Sequence, residues 1–215
     1  LYNLEGQTIQ TWENDLKQLS RLGFSGCSVY PLLPFPGAPM VRNQTYITPD
    51  PKEEYRFFEM ADTFLTNLPG WQPFTTVQYG DSVLGQANYV QLQADDADIL
   101  AFGPGAGGKI NHLQYLNVFS LDDFVNESIL LTSPKVKAFQ LPNGYELLGK
   151  KLQLFKRGLM NKKQFDAFFK NDETMINVLL EKTLLLETDG YYTLSQSGRF
   201  WAANIAEQFI ANYRV

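Results

Sequence analysis

The chain has 215 residues, 44% of them hydrophobic and 19% charged, a globular balance that suits one substantial domain or two modest ones and is unlike a disordered chain. One cysteine, Cys27, and one histidine, His112, exclude a disulfide framework and any all-cysteine metal or iron–sulfur site built from this chain alone, and leave little for a histidine triad or a zinc centre. The formal charge of −5 argues against a nucleic-acid partner, and no apolar run reaches the ~20 residues of a bilayer span, so no membrane is expected and the cytoplasm is the expected location.

The charge is uneven. From Tyr145 onward ten Lys and Arg face eight Asp and Glu, a net of +2, and the remainder carries −7. Two regions of different electrostatic character are expected.

In chain order, Leu1-Tyr2-Asn3-Leu4 reads as the tail of a strand. The chain thus opens inside a strand–loop–helix unit and is expected to be a piece of a larger α/β enzyme. Glu5-Gly6-Gln7-Thr8 is a turn with Thr8 as a candidate N-cap, and Trp12, Leu16, Leu19 and Leu22 recur at helical spacing over about Gln10 to Leu22. Cys27–Tyr30 is a short strand leading into the turn-rich Pro31–Pro39. Strand, helix, strand is a βαβ unit, normally parallel. A second helix is expected over about Lys52–Asn67, a strand over Phe74–Tyr79 and a short buried strand over Ile99–Phe102. The repeat is (βα), with long Gly- and Pro-rich loops at the strand C-termini, where parallel α/β folds bind ligands.

After a connecting stretch of roughly 111–144, three short amphipathic helices are expected over Glu146–Arg157, Lys162–Phe169 and Thr174–Lys182. Leu184–Glu187 and Tyr191–Leu194 flank Asp189-Gly190, a strong hairpin signal, and a final helix is expected over Gly198–Ile210. Three helices and a two-stranded wing make a winged-helix-like module. The would-be recognition helix, Thr174–Leu184, carries Lys182 against Glu173 and Glu181, which argues against a DNA-binding role.

Gly103-Pro104-Gly105-Ala106-Gly107-Gly108-Lys109 satisfies two phosphate-binding patterns, and neither stands. Ile110 occupies the position where a P-loop needs Ser or Thr for Mg²⁺. Pro104 removes a backbone N–H, and Ile110–Asn117 has only a weak helical pattern where both motifs need a helix N-terminus. The preferred reading is a loop whose glycines let backbone approach a flat ligand closely; the alternative is a tight connection after a buried strand.

Three segments in order carry a resemblance: Gly6-Gln7-Thr8 with its Trp-containing helix, Ser28-Val29-Tyr30-Pro31-Leu32 ending in Pro36-Gly37-Ala38-Pro39, and Ala97–Phe102 with Gly103-x-Gly105-Ala106-Gly107-Gly108. Together they resemble the oxygen-independent coproporphyrinogen III oxidase-like radical S-adenosylmethionine (SAM) proteins, most of all their haem-utilisation, anaerobic haem-degrading branch. The end of the chain, Tyr192-Thr193-Leu194-Ser195-x-Ser197-Gly198-Arg199-Phe200, is similar to the ending of the same family. Glu5 departs from the family, which usually has Pro there.

The resemblance implies an α/β fold: a partial (half) TIM-like barrel of βα units over 1–115, a connecting segment over 116–144, and a small helical winged-helix-like C-terminal domain over 145–215 that covers the substrate. It implies SAM and a [4Fe–4S] cluster in the full-length protein. The cluster's C-x-x-x-C-x-x-C loop, the SAM-binding glycine pair and an Asp near SAM are all expected upstream of Leu1, so this chain is expected to hold neither group tightly and to be inactive alone. Its implied partners are haem or another porphyrin and, for the full-length enzyme, an electron donor of flavodoxin or ferredoxin type. An opened barrel also exposes a strand edge, so pairing between copies or a covering loop is expected.

By position, Leu33 and Gly107 match family residues whose backbone contacts SAM, and Gly105 and Ala106 line the same loop. Arg42 and Lys109 are candidates for pairing with porphyrin carboxylates on charge. His112 could approach a propionate or iron, although a solvent-facing loop histidine is the preferred reading. Cys27 is expected to be a small core residue, and Gln7 and Thr8 have sufficient work as turn and N-cap residues. No catalytic residue and no metal ligand is identified within the chain. The implied activity is SAM-dependent methylation and opening of haem with release of iron. Its alternatives are decarboxylation of coproporphyrinogen propionates and haem binding without turnover.

Overall fold

The computed structural model describes residues 1–35, 38–43, 45–46, 48–81, 92, 97–129, 137–170 and 172–211. They fall into two compact units, Leu1–Gln91 with Leu152–Val215, and Leu92–Lys151.

In the first unit, helix α1 (Ile9–Arg21) starts at a capping box: the Thr8 hydroxyl accepts from the Thr11 N–H and the Thr11 hydroxyl accepts from the Thr8 N–H. Its buried face carries Trp12 and Leu16. The βαβ expectation is met here, since Tyr2 bridges Pro31 in parallel, donating to Tyr30 O at 3.0 Å and accepting from Leu32 N at 2.8 Å. The short helix α2 (Pro39–Arg42) comes next, and then α3 (Pro51–Thr66), which begins at Asp50 as N-cap with Pro51 at its first turn.

Beyond that point the parallel repeat departs from expectation. Strands β1 (Gly26–Ser28), β2 (Trp71–Pro73) and β3 (Gln78–Asp81) form one antiparallel sheet in the order β1-β3-β2. The single strand expected over Phe74–Tyr79 is instead a hairpin. The Thr75 hydroxyl accepts from Val77 N and Gln78 N and closes the turn, so β3 runs back along β2. Around this sheet Tyr2, Trp12, Phe57, Phe58, Ala61, Leu65 and Tyr79 form a buried core. The indole of Trp12 donates to Phe57 O at 3.0 Å, which ties α1 to α3.

The same unit holds a second core, built from the end of α5 (Tyr145–Arg157), α6 (Lys162–Phe168), α7 (Glu173–Glu181) and α9 (Ala202–Ala211). Phe155, Phe165, Phe169, Tyr192 and Phe209 interlock there, with ring centroids 4.5–6.0 Å apart. Strands β7 (Leu159–Asn161), β8 (Leu185–Thr188) and β9 (Tyr191–Leu194) pair in the order β7-β9-β8, so the hairpin gains a third strand. Asp189 and Gly190 both have positive φ, 29° and 84°, as a two-residue turn between twisted strands requires. The final helix is two: α8 (Gln196–Phe200) and α9, with a bend at Trp201. The bend lets Phe200 pack towards α3 while Ala202, Ile205, Ala206 and Phe209 face the phenylalanine core.

The second unit is a sheet of β4 (Gly107–Ile110), β5 (Leu113–Leu116) and β6 (Lys137–Gln140), antiparallel throughout, with helix α4 (Leu121–Ile129) between the last two. The stretch with a weak helical pattern is therefore a β-hairpin, turning at Asn111 with φ 53°. Ile99–Phe102 is not a buried strand. Only Ile99 bridges, to Lys109, and Leu100 and Phe102 are 63% and 86% exposed. Side chains take the place of a sheet neighbour: the Tyr115 hydroxyl accepts from Ala101 N, and Asn117 Nδ2 donates to Ala101 O and Gly103 O. Among the described residues no helix is long and apolar enough to cross a membrane.

Candidate functional site

In the first unit a cleft of about 320 Å³ opens where the loop after Tyr2 meets α2 and the start of α3. Its walls include Asn3, Gly6, Gln7, Leu32, Met40 and Phe57. Gly6 has φ 73°, which a side chain would strain. Gln7 spans the turn, accepting from Leu4 N and donating to Leu1 O, both at 3.3 Å. Burial raises the Glu54 carboxyl above its usual range, outweighing the opposing effect of the Asn3 amide. Asn3 Nδ2 itself is buried outside normal hydrogen-bond geometry. Leu33 follows Leu32 and Arg42 is the last residue of α2, but neither is part of the cleft wall, and Leu33 is 53% exposed.

Gly105, Ala106, Gly107, Lys109 and His112 lie together in the second unit. Besides Gly103, whose φ of 95° favours glycine, two loop glycines are held by neighbouring rings. Gly105 has φ 68° and a Cβ there would meet the Phe119 ring at 3.1 Å; a Cβ on Gly108 would sit 2.3 Å from the Tyr115 ring. The loop's polar groups are also engaged, with Gly105 N donating to Val118 O and Asn117 N to Ala106 O. Gly107 differs: its φ is not positive, and a Cβ would make ordinary contacts with Leu116 Cδ1 at 3.6 Å and Tyr115 O at 3.9 Å. The loop runs into strand β4 and not into a helix, so the helix N-terminus that a P-loop or dinucleotide fingerprint needs is missing. Lys109 is half-buried in β4. His112 is exposed at the β4–β5 turn, with Nε2 3.6 Å from Glu146 Oε1.

Burial pushes the Cys27 thiol up to about 11 against the opposing charge of the Leu1 amino group, which keeps this half-buried thiol protonated at neutral pH. Among the described residues no three His, Cys, Asp or Glu side chains are grouped to hold a metal ion. An iron–sulfur cluster therefore does not fit the described residues.

Sequence reasoning missed the most buried polar cluster. The Asp62 side chain is 3% exposed and accepts from Tyr79 Oη at 2.8 Å, Gln196 Nε2 at 2.8 Å and Arg199 Nη2 at 2.5 and 2.6 Å. Burial, and then the Asp62 charge, raise the Tyr79 hydroxyl far above its usual range. The signal in the sequence was an acidic residue inside an apolar helical stripe, Phe58-x-x-Ala61-Asp62-x-x-Leu65.

No family model matches the chain. In sequence it is 27% identical over 214 residues to anaerobilin synthase of Escherichia coli O157:H7, across 96% of this chain and 47% of that protein. In structure it resembles coproporphyrinogen III oxidase from Escherichia coli, described as a radical SAM enzyme, with a TM-score of 0.67 at 17% identity over 94% of this chain and 52% of that one. The chain thus spans about half the length of the proteins it matches. Motif order, sequence likeness and fold likeness point the same way: the chain is similar in sequence to anaerobilin synthase and in fold to coproporphyrinogen III oxidase.

Proposed function

We propose that this chain is the C-terminal part of a radical SAM enzyme acting on porphyrins, and that the reaction is methylation and opening of haem with release of iron. The observation that carries the reading is the sequence likeness to anaerobilin synthase along 96% of the chain. The reading assigns 1–115 to the second part of a TIM-like barrel, 116–144 to a connection and 145–215 to a winged-helix-like domain, in a cytoplasmic protein.

The reading places the [4Fe–4S] cluster and the reductive cleavage of SAM outside this chain, since a cluster needs several thiolates and the chain carries one cysteine. Within the chain, Leu33 and Gly107 are read as backbone contacts to SAM, with Gly105 and Ala106 shaping the loop. The open side of Gly107 supports this, because neither its conformation nor its neighbours require glycine. Arg42 and Lys109 are read as partners of porphyrin carboxylates, and His112, exposed at the β4–β5 turn, as a solvent-facing loop histidine with a propionate or iron as its alternative partner. The chain's contribution would be to bind the substrate and to help enclose the site against side reactions.

Decarboxylation of coproporphyrinogen is the second reading, favoured by the fold likeness. The test uses the full-length protein, reconstituted anaerobically with a flavodoxin- or ferredoxin-type donor, SAM and haem. Release of 5′-deoxyadenosine that depends on haem supports the reading. Stoichiometric haem binding with SAM left intact would replace it with haem binding and delivery.

A further inference from the structure

Helix α8 is five residues long, and four of them reach α3. Gln196 Nε2 donates to Asp62 Oδ2 at 2.8 Å and to Thr63 Oγ1 at 3.2 Å. The Ser197 hydroxyl lies 3.0 Å from the Tyr55 hydroxyl, and Arg199 Nη2 donates to both Asp62 oxygens. Phe200 meets Tyr55 edge-on at 5.2 Å and tilts over Phe58 at 5.5 Å. The fifth residue, Gly198, presses on the other side: a Cβ there would fall 1.9 Å from Leu184 O. One face of α8 thus belongs to the N-terminal core and the other to the phenylalanine core.

Those cores share no buried residue. The seam between them is largely polar, with Thr76 N donating to Lys156 O at 2.7 Å as a further tie. Polar seams within a chain resemble transient interfaces and permit relative motion. A buried ion pair that opens as a whole returns both charges to water, which recovers the desolvation cost of the closed state. The closed state is also imperfect, since Arg199 Nε is buried without a hydrogen-bond partner.

We propose that Gln196–Phe200 is a clasp, and that the phenylalanine core opens from α3 as one body when Arg199 leaves Asp62. The clasp is independent of the radical SAM reading.

Hydrogen–deuterium exchange of the chain tests it. In Asp62→Asn and in Arg199→Gln, amides of α8 and of α3 around Asp62 exchange at least roughly tenfold faster, while those of α6 and of the β8–β9 hairpin keep their protection. In the double variant Asp62→Leu with Arg199→Met, made on a Tyr79→Phe background so that the hydroxyl that donates to Asp62 is not left unpaired, an apolar pair replaces the charges and exchange returns to the wild-type rate or below. Equal acceleration in both cores, unchanged α8 exchange in the single variants, or persistent fast exchange in the double variant overturns the clasp. If the single variants do not fold, wild-type exchange at low urea decides: α8 opening below the global free energy supports the clasp, and one common opening overturns it.

Discussion

The phenylalanine core and the β4–β6 sheet hold themselves together by different means. In the first, Phe165, Phe169, Leu185 and Phe209 are at most 2% exposed and pack ring against ring. In the second unit no large apolar side chain is buried among the described residues; Phe102, Phe119, Leu121 and Phe139 are 53–86% exposed. Order there comes from backbone pairing, the Asn117 and Tyr115 side chains and two constrained glycines. A region that leaves its apolar residues on its surface is built to be covered, whereas one that buries them is built to stand.

The sharpest way to break this comparison is in the packed core. Phe169→Ala removes a fully buried ring and is expected to cost about 3–5 kcal/mol, read as a shift of the urea midpoint. Next, Gly198→Ala drives a methyl into Leu184 O and is expected to cost about 3 kcal/mol, since backbone cannot yield as a side-chain tip can. In the second unit, Gly108→Ala meets the Tyr115 ring and is expected to cost about 1–3 kcal/mol, seen as faster amide exchange across β4 and β5.

A pH effect comes after these. A raised acid group stabilises the fold fully below its unfolded pKa, and that contribution is lost as pH rises through the folded value. For Cys27 the loss spans from ~8.5 to about 11, and Cys27→Ala should flatten that part of the stability curve. Residual slope at higher pH belongs to Tyr2 and Tyr79, which burial also raises, and to Lys162, which its hydrogen bond to Glu187 raises. Smallest of all is Gly107→Ala, expected to change stability by less than ~0.5 kcal/mol. A loss of SAM affinity in the full-length protein with no loss of stability would mark Gly107 as a ligand contact.

Local signals were legible in the sequence wherever one residue decides a conformation. Thr8 caps a helix, and Asp189-Gly190 turns a hairpin. Strand pairing was not legible, because a short apolar run such as Phe74–Tyr79 does not say which neighbour it will find. The turn built on Thr75 reversed it. Ile99–Phe102 misled for a related reason: an apolar run reads as buried, and here side-chain hydrogen bonds satisfied its backbone at the surface. Within the candidate site, the motifs found the glycine loop and its rejection as a phosphate cradle. They did not find Asp62 and Arg199, which lie 137 residues apart and whose pairing is visible only once the chain has folded.

The central functional claim rests most directly on the mass of the porphyrin product. Full-length protein is incubated anaerobically with reductant, SAM and either haem or coproporphyrinogen III. The expected outcome is a methylated, ring-opened, iron-free tetrapyrrole from haem and unchanged coproporphyrinogen. Loss of two carboxyl groups from coproporphyrinogen, with haem recovered intact, would contradict it.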